Sequence, residues 1–114
     1  MSDRALIVFL KYPEPGKVKT RLAPALGAET AAALYRTLTE AVLEATGPRS
    51  GEYETLIFFD PPEAAEAMRE WLPGLRLRPQ CAGDLGARMH AAFTQAFGRG
   101  SRRVAIIGTD ALAV

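Results

Sequence analysis

The sequence is poor in the side chains that bind soft metals or cross-link a chain. It holds one cysteine, Cys81, and one histidine, His90, among 114 residues. A lone cysteine excludes an internal disulfide, and the two residues together cannot supply a four-ligand Cys/His zinc site, so any metal would have to be held by oxygen. An excess of charge of one sign is also missing. Lys and Arg number 14 against 13 Asp and Glu, for a formal net charge of +1, which leaves no electrostatic footprint for nucleic acid. Long apolar runs are absent near the N-terminus, where Ala5 to Leu10 gives six residues before Lys11. That is too short for a signal h-region or a bilayer span, so a cytoplasmic chain without a membrane partner is expected. Neither an internal repeat nor a low-complexity tract is present.

What remains is an ordinary globular composition, 48% hydrophobic and 24% charged, sufficient for one domain over residues 1–114. Ala5 to Leu10 (ALIVFL) is continuously apolar and reads as a strand buried on both faces. Gly27 to Thr46 reads as a helix, with Ala31, Leu34, Leu38, Ala41, Val42 and Ala45 at helical spacing and Gly47-Pro48 as its stop. After a polar break at Pro48 to Glu52, Tyr53 to Phe59 reads as a second strand. Asp60 is expected to cap a second helix with Pro61 at its first position and Glu63 at its third; Ala64, Ala67, Met68 and Trp71 carry it to Pro73-Gly74. Leu75 to Arg78 is a short third strand. Leu85 to Phe97 is a third helix with Leu85, Met89, Ala92, Phe93 and Ala96 on one side, and Arg103 to Ile107 is the fourth strand. Strands alternating with helices predict right-handed crossovers and a Rossmann-like three-layer α/β/α fold with a mainly parallel sheet.

Ligands of such sheets bind at the carboxyl ends of the strands, which points to the loops KYPEPGKVKTR, QCAGDLG and GTDA. The first carries Lys11, Lys17, Lys19 and Arg21 around Gly16, against a single Glu14. Lysine supplies a mobile point charge and arginine a bidentate fork, a combination suited to a pyrophosphate; a solvated basic surface loop is the alternative. In the second loop, Gly83, Asp84, Leu85 and Gly86 open the third helix, where unpaired amides favour an anion or a base edge, with Arg88 and Met89 one turn further on. Asp84 is also an ordinary N-cap. In the third, Asp110 follows an apolar strand and is the candidate ligand for Mg²⁺ or Mn²⁺, which needs few carboxylates when phosphate oxygens share the work.

Two phosphate-binding signatures are excluded. A P-loop ending at Gly16-Lys17 would need glycine where Lys11 stands and a hydroxyl where Val18 stands, and no G-x-G-x-x-G follows the first strand. Cys81 lacks the surroundings of a nucleophile, and His90 reads as a surface or packing residue.

FLKYPEPGKVKTRLAPALG, GDLGARMHAAF and the terminal IIGTD resemble, in that order, the bacterial radical-SAM/selenodomain-associated transferases. These are nucleotide-diphospho-sugar transferases of the GT-A type, related to the MobA-like and phospholactate guanylyl nucleotidyltransferases. The resemblance implies a GT-A half that binds a nucleotide or nucleotide-sugar. The Lys11 to Arg21 loop would hold the phosphates, with Lys19 and Arg21 carrying catalysis, Gly83 to Met89 would lie near base or ribose, and Asp110 would bind the metal. Members of that family continue from GTD into a proline-containing segment and an acceptor half, whereas this sequence ends GTDALAV. The expectations are therefore a transferase of incomplete GT-A fold, a nucleotide-binding module without turnover, or a homo-oligomer that completes the site.

Overall fold

The structure is a computed structural model that describes residues 3–15, 26–46 and 52–109. Its elements are β1 (Arg4–Lys11), α1 (Ala28–Ala45), β2 (Glu54–Asp60), a 3-10 turn (Pro62–Ala64), α2 (Ala65–Trp71), β3 (Arg76–Pro79), α3 (Leu85–Gly98) and β4 (Arg103–Gly108). The four strands form one sheet in the order β3-β2-β1-β4. Every pairing is parallel, with Ile7 opposite both Leu56 and Ile106. The strand and helix alternation of the sequence thus yields the expected three-layer α/β/α fold.

Period-two alternation along β1 sends its side chains to two separate cores. Ala5, Ile7 and Phe9 join Leu56 and Phe58 under α3, where Ala92 and Ala96 let the helix approach the sheet closely and Met89, Val104 and Ile106 pack at the margin. Val8 and Leu10 face the opposite way, joining Ile57, Phe59, Met68, Trp71 and Leu72, with Leu43 of α1 beside them. α1 and α2 therefore share one face and α3 holds the other, as right-handed crossovers require when β1 to β2 to β3 runs one way across the sheet and β3 to β4 runs back.

Three local expectations are corrected. The buried residues of α1 are Ala31, Ala32, Tyr35 and Thr39, while Leu34, Ala41 and Ala45 are exposed. The stripe is rotated toward the side that carries Tyr35, because burying a large ring outweighs burying alanines. Asp60 does not cap a helix: it is the last residue of β2, paired in register with Lys11, and an extended backbone is favoured before proline. The Asp60-Pro61 bond is cis, Pro61 is extended, and the helical turn starts at Pro62. Leu85, expected on the apolar side of α3, is 64% exposed, since it enters the helix beyond the end of the sheet.

Trp71 closes the α1–α2 layer. Its indole N–H donates to Glu40 Oε2 at 2.8 Å, Arg36 stacks 5.1 Å from the ring centroid, and Tyr12 meets it edge-on at 6.1 Å. Among the described residues, no helix is long and apolar enough to cross a membrane.

Candidate functional site

Chain direction reverses about β1: one connection leads to β2 on one side, and the later crossover through α3 returns to β4 on the other. The carboxyl ends of β1 and β4 therefore flank a topological switch point, where helices diverge and leave a crevice. A cleft of about 440 Å³ opens there, lined by Phe9, Leu10, Lys11, Gln80, Leu85, Arg88, Met89, Ile106 and Gly108. A second hollow of about 510 Å³ adjoins it across Lys11, between Tyr12, Glu14, Asp60, Pro61 and Glu63. A third, of about 530 Å³ and largely apolar, lies at the opposite pole near Arg4, Leu6, Tyr53 and Val104. The switch-point cleft is the candidate site because strand topology and polar side chains converge on it.

Its frame is a buried hydrogen-bond hub that sequence reasoning missed. The Tyr35 hydroxyl accepts from the Lys11 backbone N–H at 2.9 Å and lies 2.7 Å from Thr109 Oγ1, which in turn is 3.5 Å from the Phe9 carbonyl. Tyr35 is 1% and Thr109 2% exposed. The hub ties α1 to the ends of β1 and β4, and so fixes where the chain leaves both strands. The available signal was a tyrosine beside Ala31 and Ala32 on a helix, because a buried phenol needs a partner.

The second wall is the entry to α3. Asp84 acts as N-cap, its Oδ1 accepting from the Ala87 amide at 2.8 Å. Gly83 has a φ of 117°, and a Cβ there would stand 3.1 Å from Ala87 Cβ, so the turn requires glycine. Gly86 is different: a Cβ would meet only Asp84 Oδ1, at an ordinary 3.5 Å. The free fold does not need glycine there. Gly86→Ala is accordingly expected to stabilise the chain by up to about 1 kcal/mol through helix propensity, read as a raised thermal midpoint.

Arg88 is held at the cleft by its own loop. Its Nε–H donates to the Gly83 carbonyl at 2.9 Å and its NH1 group to Gln80 Oε1 at 3.3 Å. The structure thus brings together Lys11, Gly83, Asp84, Leu85, Gly86 and Arg88 at one pole. Gly16, Lys17, Lys19, Arg21 and Asp110 lie outside the described residues. Cys81 is exposed, with its thiol 3.7 Å from the Ala87 carbonyl, and His90 is exposed on α3. Neither lines the cleft.

Comparison with known proteins agrees with this architecture. No match is found among curated proteins. Among solved structures, the chain is 37% identical to a protein from Desulfovibrio desulfuricans G20 described as a "putative nucleotide-diphospho-sugar transferase", with a TM-score of 0.90 over 96% of this chain. The chain spans 48% of that protein's length, and the shared part is the α/β/α layer described above. The family model described as "Uncharacterized protein conserved in bacteria (DUF2064)" matches residues 42–114. With more than half of its length so matched, the chain belongs to the bacterial DUF2064 family.

Proposed function

We propose that this chain forms the nucleotide-binding part of a metal-dependent transferase of the nucleotide-diphospho-sugar type, acting on an NTP or NDP-sugar. The observation that carries the reading is the switch-point cleft itself: apolar walls from Phe9, Met89 and Ile106, with the cationic side chains of Lys11 and Arg88 at its rim. An apolar slot with a few placed donors suits a nucleotide. The likeness to the Desulfovibrio protein supports the same class. A finer placement, with the radical-SAM/selenodomain-associated transferases and their MobA-like and phospholactate guanylyltransferase relatives, is part of the proposal.

Lys17, Lys19 and Arg21 follow β1 in sequence and would neutralise the diphosphate, with Lys19 and Arg21 nearest the transferred group. Their contribution is positioning and charge stabilisation, with no covalent intermediate on the protein. Gly83, Asp84, Leu85 and Gly86 would meet the base or ribose. Among the described residues no cluster of three or more His, Cys, Asp or Glu is gathered to hold a metal. The donor set fits a hard cation held by Asp110 together with diphosphate oxygens and water. Thr109, the residue before Asp110 in sequence, is fixed by the hub. Bound Mg²⁺ or Mn²⁺ would polarise the phosphate oxygens of the leaving group. Transfer of sugar releases a nucleoside diphosphate, and transfer of a nucleotidyl group releases pyrophosphate.

A second reading, a nucleotide-binding module or a subunit completed by another copy, is favoured by β4. Its Val104, Ile106 and Ile107 are only partly buried, against complete burial of Ile7 and Val8 in β1.

Calorimetric titration with GTP, CTP, UTP and UDP-glucose, with and without Mn²⁺, tests the proposal. Metal-dependent binding is expected, and it should disappear in Asp110→Ala. Arg21→Glu should weaken it at least tenfold, about 1.4 kcal/mol, and Gly86→Ala should weaken it while leaving the chain more stable. A folded chain that binds none of these ligands would refute the reading.

A further inference from the structure

One buried polar side chain at the cleft, at the head of the QCAGDLG loop, has no role assigned above. Gln80 directly follows β3 and is 8% exposed. Its backbone N–H donates to the Phe59 carbonyl at 2.8 Å, which carries the ladder one residue past the strand. Its Nε2 donates to the Phe58 carbonyl at 2.9 Å and the Leu10 carbonyl at 3.3 Å, so the amide group bridges the ends of β2 and β1. Both Nε2 protons are therefore committed to strand carbonyls, and this leaves Oε1 as the acceptor that Arg88 NH1 reaches at 3.3 Å.

Arg88 is consequently gripped from two sides. Gly83 O takes its Nε–H and Gln80 Oε1 takes one NH1 proton. The guanidinium plane is set by those two acceptors, one on the turn before α3 and one anchored in the sheet. Its remaining N–H groups are the edge left for a ligand. A long side chain free to rotate loses rotamer entropy when it binds, and a fixed fork has already lost it.

We infer that Gln80 is a positioning residue of the cleft: it orients the Arg88 fork toward a pair of hydrogen-bond acceptors on the bound nucleotide. The inference rests on the nucleotide reading above. Acceptor pairs of suitable spacing occur on a guanine edge, O6 beside N7, and on a phosphate. The neighbouring side chains Leu85, Met89, Ile106 and Phe9 are apolar and do not compete for the fork. Both Nε2 protons of Gln80 go to strand carbonyls and its Oε1 accepts from Arg88, so its effect on the ligand runs through the arginine.

The test is a double-mutant cycle on the whole chain with Gln80→Met, Arg88→Met and the double variant. Each is titrated with UDP, GDP, ADP and inorganic pyrophosphate in the presence of Mn²⁺, after thermal unfolding shows it folded. Arg88→Met is expected to weaken binding of GDP at least tenfold and Gln80→Met at least fivefold. In the Arg88→Met background, Gln80→Met should add less than twofold, because its effect runs through the arginine. A loss confined to GDP places the fork on the base, and an equal loss for UDP, ADP and pyrophosphate places it on phosphate; either pattern supports the inference.

Effects that simply multiply overturn the inference while the nucleotide reading stands. A wild-type chain that binds none of the four ligands overturns both. In the free protein, the NMR order parameter of Arg88 Nε should fall in Gln80→Met, and an unchanged value also overturns the inference. Should Gln80→Met not fold, Arg88→Lys keeps the charge without the fork. It is expected to bind as weakly as Arg88→Met, and wild-type affinity in Arg88→Lys removes the proposal.

Discussion

Tyr35→Ala is expected to destabilise the chain by about 3–5 kcal/mol, the range for removing a large buried aromatic side chain. The ring is almost wholly buried, and its hydroxyl is the shared partner of the Lys11 amide and Thr109. Against a total stability of about 5–15 kcal/mol for a natural domain, that loss takes much of what holds the fold. Tyr35→Phe separates the two parts of the effect. It keeps the packing and removes the hydroxyl, so that the part-buried Lys11 N–H loses this acceptor and Thr109 keeps only its longer contact with the Phe9 carbonyl, a cost of about 1–3 kcal/mol. Urea unfolding of the three proteins gives both numbers. A Tyr35→Phe chain as stable as the wild type would show that the hub is incidental. The phenylalanine variant should also bind nucleotide more weakly than its stability loss alone predicts, because Lys11 and Thr109 leave their strands at the site.

Trp71→Ala is expected to cost a similar amount, about 3–5 kcal/mol, through a different layer. The indole fills the space between α1 and α2, anchors Glu40, lies under Arg36 and meets the edge of Tyr12. Arg36 and Glu40 are each about half exposed, with their charged groups 3.7 Å apart. Their surface ion pair alone contributes little, so most of the loss should come from the ring. Trp71→Phe, which retains part of the packing, should fall between alanine and wild type. Tyr12 begins the segment that leads to Lys17, Lys19 and Arg21, so phosphate affinity should drop in Trp71→Ala at temperatures where the chain is still folded. Equal affinity in the folded mutant would separate Tyr12 from the site.

Much of the architecture was legible in the residues. The continuous apolar run of β1 and the aromatic, β-branched run of β2 belong to strands covered on both faces, and helical spacing marked α1 and α3 to within one residue at their ends, whereas α2 starts at Ala65, behind a 3-10 turn, and not at Pro61. That legibility has a local cause: a strand or helix must bury one repeating set of side chains, and the repeat is written along the chain. The three loops at the carboxyl ends followed from the same alternation, and the Asp84 cap was visible as a residue type at a helix start. The basic Lys17 to Arg21 segment and Asp110 were read from residue type and order, and the described residues place only their flanks, Lys11 and Thr109.

The remainder depends on contacts between residues far apart in sequence. Nothing near Tyr35 shows that its hydroxyl meets residues 24 and 74 positions away, or that Gln80 joins two strands to an arginine. Nor did the local pattern foresee that Asp60 stays in β2, because the pairing with Lys11 comes from the neighbouring strand. Periodicity along one chain segment thus specified the elements, their order and the pole where a ligand would lie. Which polar groups meet at that pole was decided by strand order and helix packing, because a hydrogen bond depends on distance in space and the local sequence carries no record of it.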